Sequence, residues 1–274
     1  MLLVRMAGLF QYSGRTKSCW HVCLSFALLV FLTACVSSGG KKTSTFNRQK
    51  AVEANVKLGM AYLQKGQRDD AVRAFSKALE LDPNAAEANQ GMALVHQVSG
   101  EFKAAESRFK RALKGRSAFS MSGIEFSYGR FLLERNRCPE ALEYFERVRK
   151  DFKYQRRHEA LFNIGRCAGR AGDTERALAS YQYALSLNNN YAPASLELAH
   201  MLFDRENYAG AKNNLDSYSR NSRQSARSLL LGIRIERIFG NKDKEASYVL
   251  ALKNLHPYSK EYLEYQNLVK KRAQ

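Results

Sequence analysis

Proline is scarce in this chain, four in 274 residues, and tryptophan occurs once. Because proline removes a backbone donor and breaks helix interiors, its scarcity beside abundant Ala, Leu, Arg, Lys and Glu favours an all-α fold. Acid is scarce relative to base: 26 Asp and Glu stand against 44 Lys and Arg, a formal net charge of +18. Histidine is sparse and scattered, at 21, 96, 158, 200 and 256. With no HExxH helix and no zinc-type CxxC pair, the common zinc sites are excluded; His96 reads as a packing residue. A Gly-rich phosphate loop is also missing, since Gly14, Arg15, Thr16, Lys17 and Ser18 imitate only its end. Nor does any spacing group a Ser, His and Asp. The chain is therefore expected not to be an enzyme, with no catalytic residue, cofactor, metal or small-molecule substrate. Long hydrophobic runs are absent too: none reaches the roughly 18 residues of a membrane-spanning helix.

A shorter apolar run is present. Cys23 to Leu32, with Leu24, Phe26, Ala27, Leu28, Leu29, Val30 and Phe31, has the length of a signal-peptide core, and Arg5, Arg15 and Lys17 precede it without an acid. The start, Met1 or Met6, stays open. Small Thr33 and Ala34 then precede Cys35, and Leu32-Thr33-Ala34-Cys35 resembles the bacterial lipobox. That resemblance implies removal of residues 1–34, with a diacylglyceryl group on the Cys35 thiol and a third chain on its amine. At about 0.8 kcal/mol per buried methylene, three long chains give permanent attachment. The other reading is a chance cysteine after an ordinary leader. Val36 stands where lipoproteins kept in the inner membrane tend to carry Asp, so the sorting pattern points to the inner, periplasmic leaflet of the outer membrane. The polar segment after Cys35, with Ser37, Ser38, Gly39, Gly40 and two lysines, reads as a flexible tether, residues 35–47.

Residues 1–34 contain three basic residues and no acid, so the excess of base stays with the remainder. Such a charge is common among nucleic-acid binders, but a secretory leader removes the chain from nucleic acid. Anionic headgroups, peptidoglycan, an acidic protein partner or simply a solvated basic surface are left. Of the five cysteines, Cys19 and Cys23 lie in the leader and Cys35 is the lipid site, leaving Cys138 and Cys167. Two thiols in an oxidising compartment invite a disulfide.

Internal repetition dominates the rest. Leu58, Gly59, Tyr62, Gly66, Ala71, Phe75, Ala78 and Pro83 recur, stepped by about 34 residues, as Met92, Ala93, His96, Gly100, Ala105, Phe109 and Ala112. A short insertion spans Ser117 to Ser122. Beyond it Gly129, Ala141 and Phe145 mark a third unit, and Gly165, Gly172, Ala177, Tyr181 and Ala184 a fourth. Leu198, Ala199, Ala211 and Leu215 mark a fifth. A degenerate sixth has Gly232, a late Gly240 and Pro257. The pattern resembles the tetratricopeptide repeat: small residues let helices A and B approach while an aromatic fills the wedge between them. The expected fold is an all-α solenoid of six repeats over 48–258, a right-handed superhelix. A capping helix over 259–274 carries Tyr262, Tyr265 and Leu268.

In this repeat class the inner face is lined by helix A positions 2, 5, 9, 12 and 13. Repeat one presents Glu53, Val56, Met60, Leu63 and Gln64, and repeat two Glu87, Gln90, Leu94, Gln97 and Val98. The first groove is apolar at its floor and fits an amphipathic helix or extended peptide. Val56 and Met60 stand where a carboxylate clamp needs Lys and Asn. Repeats three to five present Phe126, Arg130, Phe162, Arg166, Leu196 and His200. An arginine beside an aromatic would hold an acidic, apolar segment; the plainer reading of each is a packing or solvated position. Basic runs on the B helices, such as Arg108, Lys110, Arg111 and Lys114, read as a solvated outer face. Helix B of repeat three runs antiparallel to helix A of repeat four, which brings Cys138 near Cys167, as a disulfide or as buried free thiols.

The lipobox, the tether, six repeats and two cysteines in repeats three and four together resemble the PilF/PilW pilotin family of type IV pilus biogenesis. The resemblance implies a non-enzymatic factor that helps the pilus secretin reach the outer membrane and multimerise. Val56, Met60, Leu63 and Leu94 are the expected contact, the membrane is engaged through the lipid, and nucleic acid is not a partner. The alternative is another outer-membrane tetratricopeptide scaffold, for peptidoglycan or envelope assembly machinery, using its basic face. A cytoplasmic RNA-binding repeat protein fits the charge alone.

Overall fold

The computed structural model describes residues 40–273, with side chains described from 47 to 270. The leader and Cys35 lie outside the described residues. The chain divides into two units, Met1–Ala51 and Val52–Gln274. The first helix, α1 (Gly40–Gln64), crosses that boundary. Its start corrects one expectation, because residues 40–47, assigned to the tether, are helical. No proline interrupts the segment, and extending an existing helix by one residue needs no new nucleus.

Twelve further helices follow: α2 (Arg68–Leu81), α3 (Ala86–Val98), α4 (Phe102–Lys114), α5 (Met121–Glu134), α6 (Cys138–Lys150) and α7 (Arg157–Arg170), then α8 (Thr174–Leu187), α9 (Ala192–Asp204), α10 (Tyr208–Asn221), α11 (Ala226–Ile238), α12 (Lys242–Leu255) and α13 (Lys260–Ala273). Among the described residues no strand forms beyond one isolated bridge, Ala85 to Arg116. None of these helices is long and apolar enough to cross a membrane. They pair as six repeats, α1/α2 to α11/α12, with α13 last, an all-α tetratricopeptide solenoid.

Each A-to-B turn contains one residue with positive φ: Gly66, Gly100, Asn136, Gly172, Glu206 and Gly240. A left-handed residue ends helix A sharply enough for helix B to fold back. In the last three repeats the next residue caps helix B, with Asp173, Asn207 and Asn241 accepting from the backbone N–H groups of Arg176, Gly210 and Lys244.

The core follows the small-plus-aromatic rule. Phe75, Phe109 and Phe145 are fully buried. A Cβ added at Gly59 would sit 2.6 Å from the Phe75 ring, one at Gly129 2.8 Å from Phe145, one at Gly165 2.5 Å from Tyr181, and one at Gly232 2.9 Å from Tyr248. Repeat six therefore keeps the packing pair although its turn glycine comes late. Ion pairs about one repeat apart lace neighbouring units: Arg137–Glu106 at 2.8 Å, Arg176–Glu146 at 3.2 Å, Arg205–Glu175 at 2.6 Å and Arg227–Glu197 at 2.5 Å. Between α4 and α5, the insertion is gripped by Glu87. Its Oε1 accepts from Ser117 Oγ at 2.5 Å and from the N–H groups of Ala118 and Phe119. At the far end Tyr262 and Tyr265 of α13 pack on Leu229, Leu230, Ile233 and Leu252, as a capping helix should.

Candidate functional site

The A helices of successive repeats touch one another, α3 with α5, α5 with α7 and α9 with α11. This closely spaced layer forms the inner face, and the side chains it leaves uncovered are the candidates for binding.

In repeat one, Met60 and Leu63 are half-buried against Ala71, Phe75, Met92 and Val95, with Gln64 exposed. Beside them Leu58 is 47% exposed. Val56, by contrast, is buried among Val52, Ala78, Ala85 and Ala88. Its side chain fills the wedge between helices and offers no surface. Repeat two differs similarly. Gln90 is buried, donating to Ser127 Oγ at 2.7 Å and to the Gly123 carbonyl, so it stitches α3 to α5. Gln97 donates to Glu134 Oε2 at 2.7 Å across the same helices. It borders a cleft of about 270 Å³ with Val98, Phe102, Phe131, Glu134 and Arg135. There the Arg135 guanidinium lies 3.9 Å over the Phe102 ring. Leu94 is half-buried against the central core. Met60, Leu63 and Gln64 are thus the accessible part of the first groove, with Leu94 at its margin.

The second group converges in repeats three to five. Phe126 is buried, with ring centroids 5.9 Å from Phe145 and 6.4 Å from Tyr154. Phe162 meets Tyr181 at 5.6 Å and Tyr191 edge-on at 5.4 Å. Arg156 lies 5.4 Å over Phe126, and Arg166 lies 5.9 Å over Phe162. Burial pushes the Tyr191 hydroxyl up to about 12, helped by Glu159 and opposed by Arg130, Arg156 and Arg166, which all lie within electrostatic reach. Arg156 grips Glu159 at 2.6 and 2.7 Å. Among the described residues Arg166 donates to the neutral Asn163 Oδ1, at 3.2 Å. Arg130 faces Glu134 at 3.6 Å with both side chains about half exposed. Tyr154, Arg156 and Tyr191 sit on the connections between repeats, where no periodic signal marks them.

Leu196 is buried. His200 is half-buried and its Nε2 has no hydrogen-bond partner among the described residues; burial first, then Arg227, push its pKa down to about 4. His96 Nδ1 lies 2.5 Å from Glu101. Cys138 and Cys167 are free thiols in this structure, within hydrogen-bond reach of each other. Burial first, then the hydrogen bond between Cys167 and Cys138, push Cys167 up to about 12. Among the described residues no cluster of three or more His, Cys, Asp or Glu could hold a metal.

Models of the tetratricopeptide repeat match residues 52–85, 129–192 and 170–231. The type IV pilus assembly protein PilF of Pseudomonas aeruginosa is 36% identical over 246 residues, 89% of this chain and 96% of that protein. The solved structure of Pseudomonas aeruginosa PilF superposes with a TM-score of 0.77 at 34% identity, covering 81% of this chain and 99% of its own. That of PilW, a widely conserved type IV pilus biogenesis factor, gives 0.67 at 28%, covering 78% and 98%.

Proposed function

The chain belongs to the PilF/PilW family of tetratricopeptide-repeat proteins, and from that membership we propose that it is a type IV pilus biogenesis factor. It acts as a non-enzymatic scaffold. In this reading Cys35 carries lipid, which holds the solenoid on the periplasmic leaflet of the outer membrane, and the repeat-one groove holds the pilus secretin while it inserts and multimerises.

Similarity along nearly the whole length of PilF is the observation that supports the pilus role most. The groove assignment draws on Met60 and Leu63, apolar side chains left half-covered at the end of the repeat stack. Burying such side chains against a partner helix contributes roughly 25 cal/mol per Å² of apolar surface, and methionine adapts to the partner's shape. A charge placed there would have to be buried without a counter-ion.

Met60→Glu should therefore abolish heat-resistant secretin multimers while helical content and lipidation stay unchanged. Normal multimers on gels would refute the groove assignment. Cys35→Ser tests the other half: binding to the secretin persists and the secretin is misplaced. Absence of palmitate on Cys35 in labelled cells would remove the lipid anchor from the mechanism.

A further inference from the structure

Away from repeat one, Arg130, Arg156 and Arg166 surround an aromatic floor of Phe126, Phe162 and Tyr191. We propose that this cradle is a second binding site, which takes an extended acidic segment of a protein partner by its carboxylates.

Three observations carry the inference. The charges there are incompletely matched. Arg156 has its own carboxylate, Glu159, but among the described residues Arg166 meets neutral partners, the Asn163 amide oxygen and the Phe162 ring. Asn163 is itself buried and donates to the Glu159 carbonyl at 2.8 Å, so the amide that orients Arg166 is fixed from behind. Arg130 pairs with Glu134 at 3.6 Å, with side chains 54% and 48% exposed. An exposed pair of that kind contributes little, so an incoming carboxylate can take its place.

Hydrogen-bonding capacity is also open. The hydroxyls of Tyr154 and Tyr191 find no hydrogen-bond partner among the described residues, and both rings are half-buried beside the arginines. A tyrosine hydroxyl donates to a carboxylate, and a guanidinium does so through two N–H groups at once.

The spacing selects the conformation. Arg130 follows Phe126 by one helical turn on α5, and Arg166 follows Phe162 by one turn on α7. These helices touch, so the two arginines lie about one interhelical distance apart, roughly 8–10 Å. Two or three residues of extended chain cover that span. Carboxylates two or three residues apart, with aromatic residues between them to meet the ring edges, fit both arginines.

The probe is a fluorescein-labelled peptide of alternating aspartate and tyrosine, added to the full chain in detergent and read by fluorescence polarisation. Matched peptides carrying asparagine or lysine in place of aspartate serve as controls. The aspartate peptide should bind about ten-fold tighter than the asparagine one, and more weakly as salt rises. Arg130→Glu with Arg166→Glu should remove that preference at unchanged helical content. Arg111→Glu, an exposed change on α4, should not. Met60→Glu should leave the affinity intact, which separates this site from the repeat-one groove. Equal binding of the three peptides, or equal losses from Arg111→Glu, would overturn the proposal. So would anionic lipid vesicles binding through Arg130 and Arg166 while the aspartate peptide does not.

Discussion

Gly91 of repeat two lies against the ring of Phe75 in repeat one so closely that a methyl group at its Cα would overlap the ring. Gly59, from the same repeat as Phe75, approaches the opposite helix in the same way. Phe75 is therefore wedged between two glycines, one inside its repeat and one across the boundary, and couples the first two repeats.

Gly91→Ala should destabilise the protein by about 1–3 kcal/mol, the usual effect of overpacking a closed core. Denaturant unfolding measures it. Gly123→Ala is the control, because the nearest atom to its added methyl is a Tyr154 ring carbon 4.0 Å away. On intrinsic helix preference that change should be neutral or stabilising by up to about 1 kcal/mol. A Gly91→Ala protein as stable as the parent would show that the interface relaxes freely.

How much of this was legible in the sequence depended on where the periodicity spoke. The pairs Gly59–Phe75, Gly129–Phe145 and Gly165–Tyr181 repeat the same offset and could be read directly. Gly91 could not, since Ser127 and Asn163 occupy the equivalent positions in the next two repeats. Register puts Val56, Gln90 and Phe126 on the inner face, but it gives the side of a helix and not what the next A helix covers. All three are buried. Glu87 falls on a groove position by register, and nothing in the chain indicates that it grips the insertion instead. Tyr154, Arg156 and Tyr191 lie in connections, which carry no helical period.

Glu206 occupies the left-handed turn position with φ of 60°, where four other repeats use glycine. Its side chain is exposed, so little packing offsets the strain, which for a non-glycine residue is roughly 1–2 kcal/mol. Glycine loses more backbone entropy on folding, which cancels part of the gain. Glu206→Gly should thus stabilise by about 0.5–1 kcal/mol, seen as a higher midpoint in thermal unfolding. A lower midpoint would mean that the Glu206 side chain contributes more than its exposure indicates.

Cys138 and Cys167 are adjacent, and in the oxidising periplasm the proposed location would join them. Protein taken from the periplasm and denatured without reductant should leave both thiols unlabelled by an alkylating agent, and reductant should expose both. Closing this loop contributes roughly 3–4 kcal/mol in the chain-entropy account. In reduced native protein the half-buried Cys138 should label before the buried Cys167, whose thiol burial holds largely protonated. Labelling of both without reductant would leave them as packed free thiols.

Two groups should give the fold separate acid-sensitive windows. Burial holds His200 neutral down to about pH 4, against 6.5 when unfolded. The unfolded chain therefore takes up a proton first, and stability falls as pH drops from 6.5 to about 4. Glu106 behaves differently because the Arg137 hydrogen bond holds its carboxylate down to about 2, against 4.5. Its contribution is complete above pH 4.5 and is lost between 4.5 and about 2. His200→Phe should flatten the stability profile in the upper window alone, and Glu106→Gln in the lower one alone. Unfolding midpoints measured at half-unit steps from pH 7 to 2.5 resolve the two. If His200→Phe left the slope between pH 6.5 and 4 unchanged, the imidazole would have to gain a proton partner in the folded state, and its unpartnered Nε2 would be the atom that found it.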